Sequence, residues 1–252
     1  MNANKQEIMR NWLRGFPALV ILLVSVTAHS ETDNEPEIET EEVTFDSHGA
    51  EVALDIGLGA DLKKIATLTG LDTVQSYSIT AKPIGLFVWK DGKFNDPTAN
   101  KETFNAAVEN ITAEKIKTAE ALLVAKTEKA IARSLAFICL AGASSKFVEK
   151  RGKIHREAFD EALRNITQTK ITQAQRLIND PKTSEPLMVL LSAAGHFVDG
   201  RGRFDKTAFN KALDGVTLED VEATLKGMKK KDRDEALYLI LRNRAPHSTV
   251  PQ

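Results

Sequence analysis

The chain has 252 residues, of which 42% are hydrophobic and 27% charged, with a formal net charge of −1. That hydrophobic share excludes a wholly disordered or membrane-saturated chain. The near balance of 34 basic and 35 acidic residues excludes the strongly basic composition with which proteins bind nucleic acid through its phosphates.

At the N-terminus, Lys5, Arg10 and Arg14 precede the apolar run 16–28, and the chain turns acidic at Glu31. This is the layout of a secretory signal peptide, predicted over residues 1–30. A signal anchor is the alternative, but a helical run of this length spans only about 20 Å, against roughly 30 Å of hydrocarbon. The expected location is therefore outside the cytoplasm, extracellular or periplasmic, with no transmembrane segment after cleavage. Residues 31–42 hold seven acids and no base, so 31–45 are read as a disordered acidic leader. What remains, a helical repeat domain over 46–252, carries a mild basic excess and has the right sign to contact that leader.

Within 46–83, DLKKIATL reads as helix. VTFDSHGAEVALDIG reads as a short strand pair or a loop. From residue 87 a pattern recurs: FVWKDGKFNDPTANKETFNAAVENITAEKI (87–116), FVEKRGKIHREAFDEALRNITQTKI (147–171) and FVDGRGRFDKTAFNKALDGVTLEDV (197–221). Such self-similarity signals internal repetition. Gly92, Gly152 and Gly202 sit where the chain turns sharply, at positive φ. Phe94, Ile154 and Phe204 return into the core. Asn100, His155 and Asp205 are placed to start the next helix. Along that helix Phe104, Ala107, Val108 and Ile111 form one apolar stripe, matched by Phe159, Ala162, Leu163 and Ile166, and by Phe209, Ala212, Leu213 and Val216. Asn110, Asn165 and Gly215 end it, as residue types that tolerate a left-handed terminus. Thr112, Thr167 and Thr217 then cap a further helix, with a hydrophobic staple across each cap and Asp220 completing a capping box for Thr217.

Between the patterned segments, 128–148, 185–198 and 232–243 read as helices. Cys139 lies in the first of them, LAFICLAGA, and reads as a small buried hydrophobe. The fold expected is all-α, with three degenerate helix–loop–helix repeats forming a helical array or bundle.

Helix, glycine-centred loop, a hydrophobic residue two past the glycine, then helix: these segments resemble an EF-hand. The resemblance covers about a dozen residues per copy and implies a calcium loop with oxygen ligands at its first, third, fifth, ninth and twelfth positions and glycine at the sixth. With Gly202 at the sixth, those five positions are Phe197, Asp199, Arg201, Asp205 and Ala208. Asp199 and Asp205 alone supply carboxylates, so they are the candidates for weak calcium binding. A metal-free turn is the favoured reading, in which the glycine matters and the acids hardly do.

Other constellations point to little chemistry. Asn110 and Asn165 each open an Asn-Ile-Thr sequon and are candidate glycosylation sites at an exposed turn, although their place at a helix end explains them without sugar. The histidines show no metal-binding spacing, and no nucleophile elbow or phosphate-binding loop is present. GLGADLKK lacks a preceding strand. Lys229, Lys230 and Lys231 read as a solvated turn. Trp89 stands where the later copies have Glu149 and Asp199, and is a candidate binding anchor. The function expected is a secreted, non-enzymatic helical-repeat protein, without cofactor or bound metal, that binds another macromolecule and not nucleic acid. The alternatives are a carrier of a hydrophobic small molecule, suggested by the Ala- and Gly-rich helices at 131–145 and 186–198, and a degenerate EF-hand-like calcium- or mineral-binding protein.

Overall fold

The computed structural model describes residues 61–72, 75–76, 79–80, 83, 97–124, 129–149, 152–179, 185–228 and 232–246. The expected signal peptide and acidic leader, the segment VTFDSHGAEVALDIG, Trp89, the first loop with Gly92 and Phe94, and Lys229 to Lys231 all lie outside the described residues.

The fold is all-α. Ten α-helices carry the described chain, together with two 3₁₀ turns and two isolated antiparallel bridges. The first helix, α1 (Leu62–Thr69), starts where Asp61 accepts the amide of Lys64 at 3.0 Å and stops at Gly70, which adopts φ 75°. Then come α2 (Pro97–Asn110), α3 (Ala113–Leu122) and α4 (Lys129–Ser144), which tightens into a 3₁₀ turn at Ser145–Phe147. After the second loop follow α5 (Arg156–Asn165), α6 (Gln168–Ile178) and α7 (Pro186–Ala194), with its own 3₁₀ turn at Gly195–Phe197. After the third loop come α8 (Lys206–Asp214), α9 (Leu218–Gly227) and α10 (Arg233–Asn243).

Helices α4, α7 and α10 pack side by side in a row, with α3, α6 and α9 lying against them. Their contact is close because small side chains line it. A Cβ on Gly195 would come within 2.5 Å of the Lys146 carbonyl oxygen, so only glycine fits where α7 meets the end of α4. The span Lys129–Phe147 is apolar and long enough to cross a membrane by composition, yet it lies mostly buried inside the protein. Cys139 is buried on it.

The apolar stripes read from the sequence form the core. Phe104, Phe159 and Phe209 are fully buried, and so are Phe147 and Phe197, which open the second and third segments. Phe147 meets Phe159 edge-on at 5.2 Å, and Phe197 meets Phe209 edge-on at 5.4 Å. An aromatic pair of this geometry adds about 1 kcal/mol beyond the area it buries. Each pair ties the entry of a loop to the helix that leaves it.

Three local expectations are corrected. Asn100 does not start its helix: α2 begins three residues earlier, at Pro97. Proline suits a first helical position because its fixed φ is already helical and its missing amide has no partner there. Nor do Asn110, Asn165 and Gly215 adopt the left-handed conformation. Gly215 has φ −84°, and Asn179, at the end of α6, is the only non-glycine residue with positive φ among those described. The chain leaves α5 instead through an extended Ile166. Thr112 and Thr217 cap their helices through the side chain, and Thr217 forms the full capping box with Asp220, whereas Thr167 makes no such bond.

Candidate functional site

Two loops share one geometry at their described residues, Glu149, Gly152 and Lys153 in the second segment and 199–203 in the third. In the second segment the Glu149 amide donates to the Lys153 carbonyl at 2.9 Å, Gly152 to Glu149 at 3.0 Å, and His155 back to Phe147 at 2.9 Å. In the third, Asp199 donates to Arg203 at 2.9 Å, Gly202 to Asp199 at 2.9 Å, and Asp205 to Phe197 at 2.8 Å. Val148 bridges Ile154 and Val198 bridges Phe204, which turns both hydrophobic residues inwards. Gly152 and Gly202 have φ 79° and 77°, a region that side chains rarely enter.

Each glycine also touches the segment before it. The Thr103 hydroxyl donates to the Gly152 carbonyl at 3.1 Å, and a Cβ on Gly202 would overlap the His155 ring. The second loop thus lies against α2 at Thr103 and the third against His155 at the start of α5, so the two described loops follow one another along one edge. Their apolar residues face inwards, and the cations on either side of the glycines stay in solvent. Lys153, Arg201, Arg203 and Lys206 are all exposed.

Both calcium candidates are engaged within the chain. Asp199 Oδ1 accepts the amides of Arg201 at 2.9 Å and Arg203 at 3.0 Å, while Oδ2 accepts Nε and Nη2 of Arg203 at 2.9 and 2.7 Å. The Arg203 amide and guanidinium hold its carboxyl well below the usual carboxylate range, at about 2. The Arg203 guanidinium thus takes Oδ2 and the two amides take Oδ1, the oxygens that a cation would need, and Asp199 closes the loop. Asp205 accepts the amide of Ala208 at 2.9 Å and caps α8. No group of three or more His, Cys, Asp or Glu that could hold a metal occurs among the described residues.

The sequon asparagines are not at an exposed turn. Asn110 is 8% exposed and Asn165 is 5% exposed. Asn110 Nδ2 donates to Asp160 at 3.3 Å, and Asn165 Nδ2 donates to Asn210 at 2.9 Å. Those are the nitrogens that a glycan would occupy. Lys115 Nζ binds the Asn110 carbonyl at 2.6 Å and Asp160 at 2.5 Å, and Lys170 Nζ binds the Asn165 carbonyl at 2.6 Å. A lysine at a helix C-terminus satisfies a carbonyl left open by the helix and complements its dipole. Burial and the neighbouring Lys206 lower the Lys170 pKa. In the third segment Gly215 and Asp220 replace this asparagine and lysine. Arg244, from the end of α10, supplies the cation instead, binding the Ala212 carbonyl at 3.0 Å and Asp220 at 2.9 Å.

Sequence reasoning missed two features. His196 Nε2 and the Tyr238 hydroxyl share a hydrogen bond of 2.7 Å, with Lys146 Nζ 5.6 Å from the tyrosine ring centre, and burial raises the Tyr238 pKa. His196 and Lys146 hold the same place in the repeated pattern, which was the available signal. The second feature is an open groove of about 560 Å³ on one face of α6, lined by Thr169, Thr172, Gln173, Arg176 and Leu177. It lies open to solvent and does not enclose a chamber.

No protein-family model matches the chain, and no curated protein or solved structure matches it.

Proposed function

We propose that this is an exported, non-enzymatic binding protein, built from repeated helix–loop–helix units, whose row of loops receives a macromolecular partner. The observation that carries this reading is the geometry shared by Glu149, Gly152 and Lys153 with 199–203, which turns the hydrophobic residues inwards and leaves Lys153, Arg201, Arg203 and Lys206 in solvent. Over 146–157 and 196–206 the sequence has eight basic and four acidic residues. Such an edge fits an acidic protein surface, for which exposed charge provides steering and register more than affinity. The small residues of α4 and α7, which motivate a carrier role, are taken up by close helix contact at Gly195. The loop carboxylates, which motivate calcium binding, are taken up by Arg203 and by the start of α8.

The test is affinity capture from the secreted fraction with the parent and with Arg201→Ser and Lys206→Ser. An acidic protein retained by the parent and lost with both variants would support the reading. Native mass spectrometry showing a stoichiometric lipid on the purified chain, with no captured protein, would overturn it in favour of a carrier.

A further inference from the structure

The acidic stretch 31–42 has the opposite sign to the loop row and lies on the same chain. We infer that residues 31–42 dock against the loop edge formed by Lys153, Arg201 and Lys206. This inference rests on the loop edge being the binding surface.

Three observations support it. The first is charge: seven acids without a base in the stretch, against a basic majority along 146–157 and 196–206. The second is availability. Arg203 is committed to Asp199 and Arg156 to Glu109 at 3.0 Å, but Lys153, Arg201 and Lys206 remain exposed beside them. The third is reach. Residues 43–60 join the acidic stretch to Asp61 at the start of α1. A chain of that length extends to at most about 60 Å, and a compact protein of this size is on the order of 40 Å across. The stretch can therefore reach the loops wherever α1 leaves it.

The contact joins many charges at a solvent-exposed surface, so salt must weaken it. The Debye length falls from roughly 20 Å in dilute buffer to about 4 Å near 0.5 M.

The experiment is zero-length coupling of carboxylates to amines with a carbodiimide on the exported full chain. It is run dilute, at low and high salt, and the bonds are mapped by mass spectrometry on the monomer band. Bonds from residues 31–42 to Lys153 and Lys206 should exceed those to the exposed Lys63, Lys117 and Lys226 by at least about fivefold. They should fall by a similar factor at high salt and about threefold in Arg201→Ser, whose side chain supports no other part of the fold. Bonds spread evenly over the exposed lysines, bonds found only between two copies, or no bonds at all would overturn the inference. Those outcomes leave the partner capture untouched. Ordered bonds with no captured partner would instead remove the proposed function and keep the intramolecular contact.

Discussion

At the residue scale, two positions in the third loop carry opposite kinds of constraint. Gly202 is needed for its backbone and its lack of bulk: φ is 77°, and the His155 ring occupies the space of a Cβ. Gly202→Val should cost about 1–3 kcal/mol through strain alone. Gly200→Ala two residues away should be neutral, because nothing lies within 4 Å of its Cβ position. Urea midpoints of the two variants check this, and His155→Ala should recover part of the Gly202→Val loss by removing the clash but not the dihedral strain. Asp199 acts through its charge, which binds the Arg203 guanidinium. Its folded pKa of about 2 lies below the ordinary value of 3.8, so it stabilises the fold above about pH 4 and loses that contribution as pH falls towards 2. The midpoint gap between the parent and Asp199→Asn should therefore be full at pH 6, shrink between pH 4 and 2, and nearly close at the low end. A gap unchanged down to pH 2 would mean that the Arg203 fork contributes nothing.

At the element scale, helices are held to one another by their ends as well as by their faces. Asn165→Ala leaves the Asn210 side chain without its donor and removes one acceptor from Lys170, and should cost about 1–2 kcal/mol. A double-mutant cycle with Asn210→Ala should show positive coupling, whereas an additive pair would deny the bond. The helices themselves were legible from the sequence, because Phe159, Ala162, Leu163 and Ile166 repeat with helical spacing and are all buried. So was the positive φ of Gly152 and Gly202, since a hydrophobic residue two positions later must fold back. The partners of Asp199 and Asn165 were not legible. An aspartate in a turn offers the same letters to a calcium ion and to an arginine four residues on. An asparagine at a helix end looks the same whether its amide faces water or a neighbouring segment some forty-five residues away. Which of these holds is decided by packing, and packing does not show in spacing.

At the scale of the whole molecule, one apolar cluster runs from Ile65 to Ala245 without a break. Stacked units with such a shared core unfold together when the interfaces between them are strong. Phe104 and Phe209 belong to the first and third segments of that cluster, and replacing either with Ala should lower the stability of one common transition by roughly 3–5 kcal/mol. Circular dichroism during urea unfolding checks this. Two separated transitions, each moved by one variant only, would mean that the two segments are independent. The asparagine ties have a further consequence for how long such a chain can be. The middle segment both gives and takes: Asp160 accepts from Asn110, and Asn165 donates to Asn210. A duplicated copy of residues 147–196 spliced in beside the original would bring a matching donor and acceptor with it and could be tolerated as an insertion. A copy appended after Asn243 would meet Gly215, which has no side chain to offer, and Arg244 already bound to Ala212 and Asp220. The asparagine tie can thus be repeated in the middle segment, whereas Gly215 offers no such donor to a further copy.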